Sequence, residues 1–443
     1  MVRKALVAAC AALFMTVTGA TGAALATPQV SPRAEAGIGA AAADSSQHVS
    51  FHKWSRTAAF ARGTKDGVRV DHDSLSIART VGTREYTDPF GDSGARRYDY
   101  ATWTSPMVTP GFDLSELIAS WNAQTPGHTW VQVEMRGLAD TGAMSKWYVM
   151  GRWAENDPAA GGAIHRTSVP RQGDDLGYVA IDTFVASGGH SLSRYQLRVT
   201  LYRPHGTRLS PTVSLVGAMA SRIDVPGHVP ASPLGGAEGI TLDVPAYSQE
   251  VHNGQYPQWD GGGEAWCSPT STSMVLAYWR SGPKPEDYAW VDPAYQDPWV
   301  DHAARNTYDY NYDGAGNWPF NAAYAGRFGV EGFVTRLRSL TEAEQFIKHG
   351  IPLVVSVSWK KGELDGAGYS TGGHLMVIVG FTKDGDVVVN DPASHLIPSN
   401  DQVRTVYDRE QFENTWIPHS GGVAYVIHPS DVALPPAPAE ANW

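Results

Sequence analysis

Cysteine is almost absent: the 443 residues contain two, Cys10 and Cys267. Long apolar runs are missing beyond the N-terminus, and no segment there approaches the roughly 18 residues that suggest a membrane span. No cluster of Lys and Arg interrupts a chain whose formal charge is −11. Each lack excludes a class. Two cysteines cannot make a disulfide scaffold. Without a span, stable membrane insertion is not expected. An acidic chain does not attract nucleic acid or anionic lipid through a general field. There is also no Cys-x-x-Cys pair, no His-Glu-x-x-His, no phosphate loop and no Gly-x-Ser-x-Gly. No metal and no cofactor are therefore expected.

What remains is a globular composition, 42% hydrophobic and 18% charged. A chain of this length exceeds one core and predicts two domains plus tails. Residues 1–26 read as a signal peptide: Arg3 and Lys4, then the apolar Ala5 to Val17, then Ala24-Leu25-Ala26 as the cleavage pattern. The protein is thus expected to be secreted and extracellular. Removal of that segment leaves Cys267 as the sole thiol. A lone thiol in an oxidising compartment is either a buried apolar filler or a reactive group, and its neighbourhood decides between them.

Residues 27–48, rich in Ala, Gly, Ser and Pro, read as a flexible tail. Residues 49–222 read as an all-β sandwich or jelly roll, with short β-branched and aromatic runs between turn signals. Within them, Asp113–Ser120 reads as a helical turn or two. Residues 223–240 hold the Pro and Gly of a linker. Residues 241–430 have an α+β layout: a helix over Pro269–Tyr278, a capping box at Thr341-Glu342-Ala343-Glu344, then strand-like runs at Pro352–Val357, Leu375–Phe381, Asp386–Asn390 and Val423–Ile427. Residues 431–443 read as a disordered tail.

Cys267 lies where Gly261-Gly262-Gly263 leads into an amphipathic helix whose first turn holds Pro269. Helix N-termini favour the thiolate, and the glycines leave a substrate room to approach. Trp266 beside it reads equally as a substrate platform or a core anchor. A thiolate needs an oriented imidazole. The chain has 15 histidines, but His374 stands apart: it follows Thr371-Gly372-Gly373 and begins an apolar strand. An Asp384-Gly385 hairpin then returns the chain to Asp391 beside it, where a carboxylate would accept the Nδ1–H of the ring. Gln249 lies eighteen residues before Cys267, and its side-chain amide with the Cys267 N–H would supply oxyanion donors. Asp309-Tyr310-Asn311-Tyr312-Asp313-Gly314 begins like a calcium loop, but Phe320 occupies the twelfth position where Glu is needed, so a polar loop is the expectation. The Gly-rich loop Trp359–Gly373 reads as a mobile rim. The stretch Gly316 to Asn321 either lines the cleft or packs.

Three blocks in order, Val-Pro-Ala-Tyr-Ser-Gln249, Trp-Cys267-Ser-Pro-Thr-Ser-Thr-Ser-Met-Val-Leu, and Gly-Gly-His374 through Asn-Asp391-Pro, resemble the secreted relatives of the bacteriocin-processing cysteine peptidases, family 39 of the cysteine peptidases. The resemblance covers residues 242–430. It implies a papain-like fold, Cys267 as nucleophile, His374 as base, Asp391 as orienting group and Gln249 as oxyanion donor. Ser268 departs from the glycine common after the nucleophile. The family's leader-peptide substrates do not carry over, since no exporter segment is present. The expectation is a cysteine hydrolase acting on peptides or proteins. Two rivals stand beside it: a cell-wall amidase or endopeptidase, and a non-catalytic protein whose N-terminal sandwich binds cell-surface polysaccharide.

Overall fold

The computed structural model describes residues 47–443; the expected signal peptide and nearly all of the expected flexible tail lie outside them. The first half runs β1 (Gln47–Trp54), α1 (Thr57–Phe60), β2 (Thr64–Asp66), β3 (Val68–Asp71), β4 (Ser74–Ile77), β5 (Gly82–Thr87), β6 (Ala95–Thr104), β7 (Glu116–Gln124), β8 (Trp130–Ala139), β9 (Tyr148–Trp153), β10 (Gly177–Ala180), β11 (Thr183–Ala186), β12 (Leu192–Pro204) and β13 (Thr212–Ile223). These strands form two sheets. One is seven-stranded, in the order β10-β11-β7-β13-β4-β3 with β1 also on β13. The other is six-stranded, in the order β2-β6-β12-β8-β9 with β5 also on β6. Period-two alternation drives this pairing. On β12, Tyr195, Leu197, Val199 and Leu201 are buried, while the intervening Arg194, Gln196 and Arg198 are not. The inner faces meet where Trp54 packs edge-on against Trp103 at 5.5 Å and Tyr148 meets Phe184 at 4.9 Å.

Two expectations for this half are corrected. The helical turn proposed over Asp113–Ser120 is instead the entry to β7, whose Leu117 to Ala123 are buried between β11 and β13. A strand covered on both faces loses the alternation that would reveal it. The tail expected to run to residue 48 ends earlier, because β1 starts at Gln47 and pairs with β13 from Ile223 onward.

The second half contains α2 (Cys267–Tyr278), α3 (Pro298–Thr307), α4 (Trp318–Gly326), β14 (Val330–Arg336), α5 (Leu340–Lys348), β15 (Leu353–Trp359), β16 (Thr371–Phe381), β17 (Val387–Asn390), β18 (Arg404–Tyr407), α6 (Arg409–Ser420) and β19 (Val423–Pro429). Its strands make one antiparallel sheet in the order β14-β19-β15-β16-β17-β18, so the layout is α+β. Helix α2 is not amphipathic as expected: every residue from Cys267 to Leu276 is buried. Its small hydroxyl residues permit that by bonding their surroundings. Ser271 Oγ donates to the Leu375 carbonyl at 3.1 Å, and Ser273 Oγ donates to the Trp299 carbonyl at 3.2 Å. The cap of α5 lies two residues before the expected box. Ser339 Oγ accepts from Glu342 N–H, and Glu342 accepts from Arg338 N–H at 2.8 Å. Glu344 is instead fully buried and accepts the N–H groups of Gly235 and Ala237.

The two halves share a continuous core. Phe320 on α4 packs against Trp121 and Trp153 of the sandwich, and Phe51 stacks on Phe333 at 4.5 Å. Buried polar groups lock the seam: Arg305 grips Asp157 through two bonds of 3.0 Å, and Asp182 accepts the first N–H of α4, from Trp318, at 2.9 Å. The stretch Gly316 to Asn321 therefore packs at this seam. The expected linker 223–240 begins one residue later, since Ile223 ends β13; the remainder holds no helix or strand but is strapped down, with Ser232 N–H on Glu413 at 2.7 Å. The C-terminal residues are also ordered against the fold, which corrects the expected disorder. Asn442 is buried and donates to the Arg336 carbonyl at 2.7 Å, Ala441 accepts from Phe51 N–H, and Trp443 packs on Phe346 at 4.9 Å. Proline-rich composition suggested a free tail, but the aromatic and amide side chains beyond it find partners.

Candidate active site

Cys267 is the first residue of α2, where the backbone N–H groups point out of the helix end and the helix dipole favours negative charge. It is 3% exposed and is not in a disulfide. The bond from Ser271 to Leu375 fixes this helix against β16 one residue past His374. Antiparallel pairing then does the rest. β16 and β17 run as a hairpin, with Phe381 opposite Val387 and Val377 opposite Asn390, so Asp391 follows directly beside His374. His374 Nε2 lies 2.8 Å from Asp391 Oδ1, and the Cys267 side chain is near enough to the ring to act on its titration.

The structure thus brings Cys267, His374 and Asp391 together, with one correction. Asp391 engages Nε2 rather than the expected Nδ1, which leaves Nδ1 as the ring nitrogen for the thiol. Burial disfavours the imidazolium, but the charge and hydrogen bond of Asp391, then the hydrogen bond and charge of Cys267, outweigh it and push the His374 pKa up to about 10. Asp391 is fully buried, which by itself raises its pKa. The His374 charge and hydrogen bond, with two tyrosine hydroxyls, reverse that and hold it below the usual range.

Those tyrosines are the site residues that sequence reasoning missed. Tyr369 Oη donates to Asp391 Oδ2 at 2.8 Å, Tyr407 Oη donates to the same oxygen at 2.8 Å, and Ala393 N–H reaches Oδ1 at 3.0 Å. Tyr369 belongs to the loop expected to be a mobile rim. That loop is anchored behind the imidazole instead: Trp359 Nε1 donates to the Tyr369 carbonyl at 2.8 Å, and both rings sit edge-on to His374. Two aromatics in a Gly-rich loop were its signal.

Gln249 is also buried here, at the start of a short 3₁₀ turn over Gln249–His252 that Ser248 caps. Its Nε2 donates to the Glu264 carbonyl at 2.6 Å, three residues before the thiol. Gly263 makes this approach possible, since a Cβ there would lie 2.5 Å from the Gln249 carbonyl and 2.3 Å from the His252 backbone. The glycines before Cys267 thus serve close packing as well as access. Behind the turn, the fully buried His252 faces Asp301 at 3.3 Å. Glu250, next in the turn, is buried, and its pKa is pushed up to about 7 by burial and by Glu264, against the opposing charge of His374. Ser268 directs its hydroxyl to Tyr425 at 2.9 Å in the core, and Gly372, beside His374, faces open space. Trp266 is fully buried and bonded to the Trp259 carbonyl at 2.7 Å, hence a core anchor.

The carboxylate of Asp309 in the calcium-like loop is saturated by protein donors. Oδ1 accepts from Ser168, Asn311 and Tyr312 N–H, and Oδ2 accepts from Asn317 Nδ2. Among the described residues, no group of three or more His, Cys, Asp or Glu is arranged to hold a metal ion, and no helix is long and apolar enough to cross a membrane. A thiol on a helix N-terminus, an imidazole held by a carboxylate, and an amide beside them form the set that nucleophilic acyl transfer requires.

Residues 50–221 match the family model described as the Peptidase C39 N-terminal domain, and residues 241–423 match the Peptidase C39 like family. No curated protein matches the chain. Among solved structures, the chain is similar to the enzymatically active domain of tailspike protein 4 of bacteriophage CBA120, at 10% identity over 39% of this chain and 19% of that one, with a TM-score of 0.15. It is also similar to a family two carbohydrate esterase from Cellvibrio japonicus, at 11% identity over 52% of this chain and 50% of that one, with a TM-score of 0.17. The chain therefore spans no more than half the length of these two, and neither likeness carries an argument.

Proposed function

Since the chain belongs with the family 39 cysteine peptidase-like proteins, we propose that it is a secreted cysteine hydrolase that cleaves amide bonds, in peptides or proteins, on a papain-like second half. The observation that carries this reading is the contact of His374 with both Cys267 and Asp391 at the N-terminus of a buried helix.

The raised pKa of His374 favours a resting imidazolium, and its partner is then the thiolate of Cys267. The thiolate attacks the substrate carbonyl and forms the C–S bond, while the carbonyl electron pair moves to oxygen. The second N–H of Gln249 Nε2, the first being given to the Glu264 carbonyl, and the N–H groups of the helix N-terminus are the donors assigned to that oxygen. The imidazolium gives its Nδ1 proton to the leaving nitrogen, the C–N bond breaks, and an acyl-enzyme remains. Neutral His374 then takes a proton from water, hydroxide adds to the acyl carbon, and the C–S bond breaks to restore thiolate and imidazolium. Asp391 stays ionised throughout, held by Tyr369 and Tyr407, and keeps the ring oriented.

The test is alkylation of Cys267 by an iodoacetamide probe across a pH series, with His374→Ala beside the wild type. Rapid labelling well below the free-thiol pKa of about 8.5, lost in the variant, supports the pair. Labelling that appears only in alkali and is the same in both proteins refutes it.

A further inference from the structure

The outer face of the six-stranded sheet carries a second aromatic cluster, separate from the main core. Tyr98, Trp130 and Tyr202 form its buried centre, with Tyr86 and Tyr100 packed on it. Trp130 and Tyr202 stack at 3.9 Å and 9°. The cluster is not closed over. A cavity of about 390 Å³ opens into it between the loop joining β5 to β6 and the segment 158–165. That volume falls in the range of small-molecule sites, about 300–1,000 Å³.

The cavity wall has two kinds of group. Tyr86, Tyr98 and Phe90 supply ring surface, and Phe90 is 42% exposed beside His165 and Tyr310. Asp88, His165 and Arg96 supply hydrogen-bonding groups. Asp88 Oδ2 holds His165 Nδ1 at 2.9 Å and accepts the His165 N–H at 2.8 Å. The carboxylate thereby fixes the ring, and Nε2 is left to accept from a ligand hydroxyl. Arg96 leans on Ser93 Oγ at 3.0 Å and keeps further N–H donors for solvent or ligand. The Asp88 carboxylate is spent on His165, which leaves one acid, Asp92, and one base, Arg96, among the remaining lining groups, so charge does not select an ion.

The cavity is lined by residues of the first half alone, two of which also touch the second half. Tyr310, from the calcium-like loop, meets His165 at 4.3 Å and Phe90 at 5.9 Å. Tyr310 in turn packs on Tyr308 at 4.8 Å, and Asp260 of the glycine-rich loop before Cys267 accepts from Ala315 N–H at 3.0 Å.

We propose that this cavity binds a neutral saccharide, with Phe90 stacking on the apolar face of a sugar ring, the edge of Tyr86 below it, and His165 and Arg96 bonding its hydroxyls. An exposed ring beside balanced hydrogen-bonding groups matches a molecule that has both an apolar C–H face and many hydroxyls. It matches an extended peptide less well, because that ligand needs a row of backbone donors and acceptors. This site is independent of the thiol and does not rest on the catalytic reading.

The test uses the full mature chain with Cys267→Ser, so that nothing is turned over. Binding to a panel of soluble neutral oligosaccharides, including peptide-free N-acetylglucosamine oligomers, is followed by glycan array and by tryptophan fluorescence, since Trp130 stands 4.9 Å from Tyr86. The expected result is saturable binding of at least one saccharide, weakened about ten- to a hundredfold in both Phe90→Ala and Arg96→Ala. Phe90 is exposed, so its variant should unfold as the parent does. Three results overturn the proposal: no saccharide binds; binding occurs but is unchanged in both variants; or sugar-free peptides, and not saccharides, bind with loss in Phe90→Ala. Cysteine alkylation in Phe90→Ala on the otherwise native chain should match the wild type, which separates failure of this site from failure of the active site.

Discussion

Replacing Asp391 by Asn removes one charge from the candidate site and little else. The Asn Oδ1 can still accept from His374 Nε2, and the hydroxyls of Tyr369 and Tyr407, which donate to the carboxylate in the native chain, can rotate to accept from the new amide. The geometry should survive and the electrostatics should not. In the native chain the imidazolium is lifted from 6.5 to about 10 against burial, and after burial the charge and hydrogen bond of Asp391 are the largest causes. At about 1.4 kcal/mol per pH unit, that interval is worth roughly 5 kcal/mol in favour of the charged ring. Without the carboxylate, only Cys267 opposes burial, and the His374 pKa should fall to 6.5 or below. The thiolate then loses its counter-charge at neutral pH, and turnover should fall by roughly 10²–10⁴. Alkylation rates between pH 5 and 10 give the readout, with the variant's reactivity displaced toward alkali. The same groups set a stability window. His374 has a raised folded pKa, so its contribution is complete below 6.5 and fades as pH rises toward about 10. Asp391 has a depressed folded pKa, so its contribution is present above 3.8 and is lost as pH falls through its lower folded value. The stability difference between wild type and Asp391→Asn should therefore be largest from about pH 4 to 6.5. An alkylation profile identical in both proteins would refute the reasoning.

Three further outcomes are expected. Asp182 is buried at the seam with its pKa pushed up to about 7, so the folded chain holds a proton that the unfolded chain releases near 3.8, and stability from this group falls as pH rises between those values; Asp182→Asn should flatten that slope in urea titrations at pH 4 to 8. Arg305→Ala strands Asp157, which is 2% exposed, and should cost about 3–5 kcal/mol by chemical denaturation. Deleting residues 435–443 removes the Trp443 ring from Phe346 and the Asn442 amide from Arg336, and should lower stability by roughly 2–4 kcal/mol in the same assay.

The legible parts of this molecule were those in which short-range chemistry decides. The Asp384-Gly385 turn between two apolar runs specified a hairpin, and the hairpin brought Asp391 to His374. Glycines followed by Cys267 and Pro269 specified a helix start with the thiol on it. The illegible parts depend on partners far along the chain. Strand β7 shows no alternation because both its faces are covered, and α2 shows no polar face because sheet and helices enclose it. Tyr369 and Tyr407 reach Asp391 from different loops and strands, and no spacing in the sequence announces such a convergence. The glycine-rich loop suggested freedom, whereas Gly263 is needed because the Gln249–His252 turn leaves no space for a Cβ.

The central claim, that Cys267 performs amide hydrolysis, is tested most directly by digesting a complex peptide library with the wild-type protein and with Cys267→Ser, and sequencing the new termini by mass spectrometry. New termini that share a sequence preference in the wild-type digest and vanish in the variant are the predicted result. Equal cleavage by both proteins, or none by a wild-type protein whose thiol alkylates readily at low pH, would contradict it.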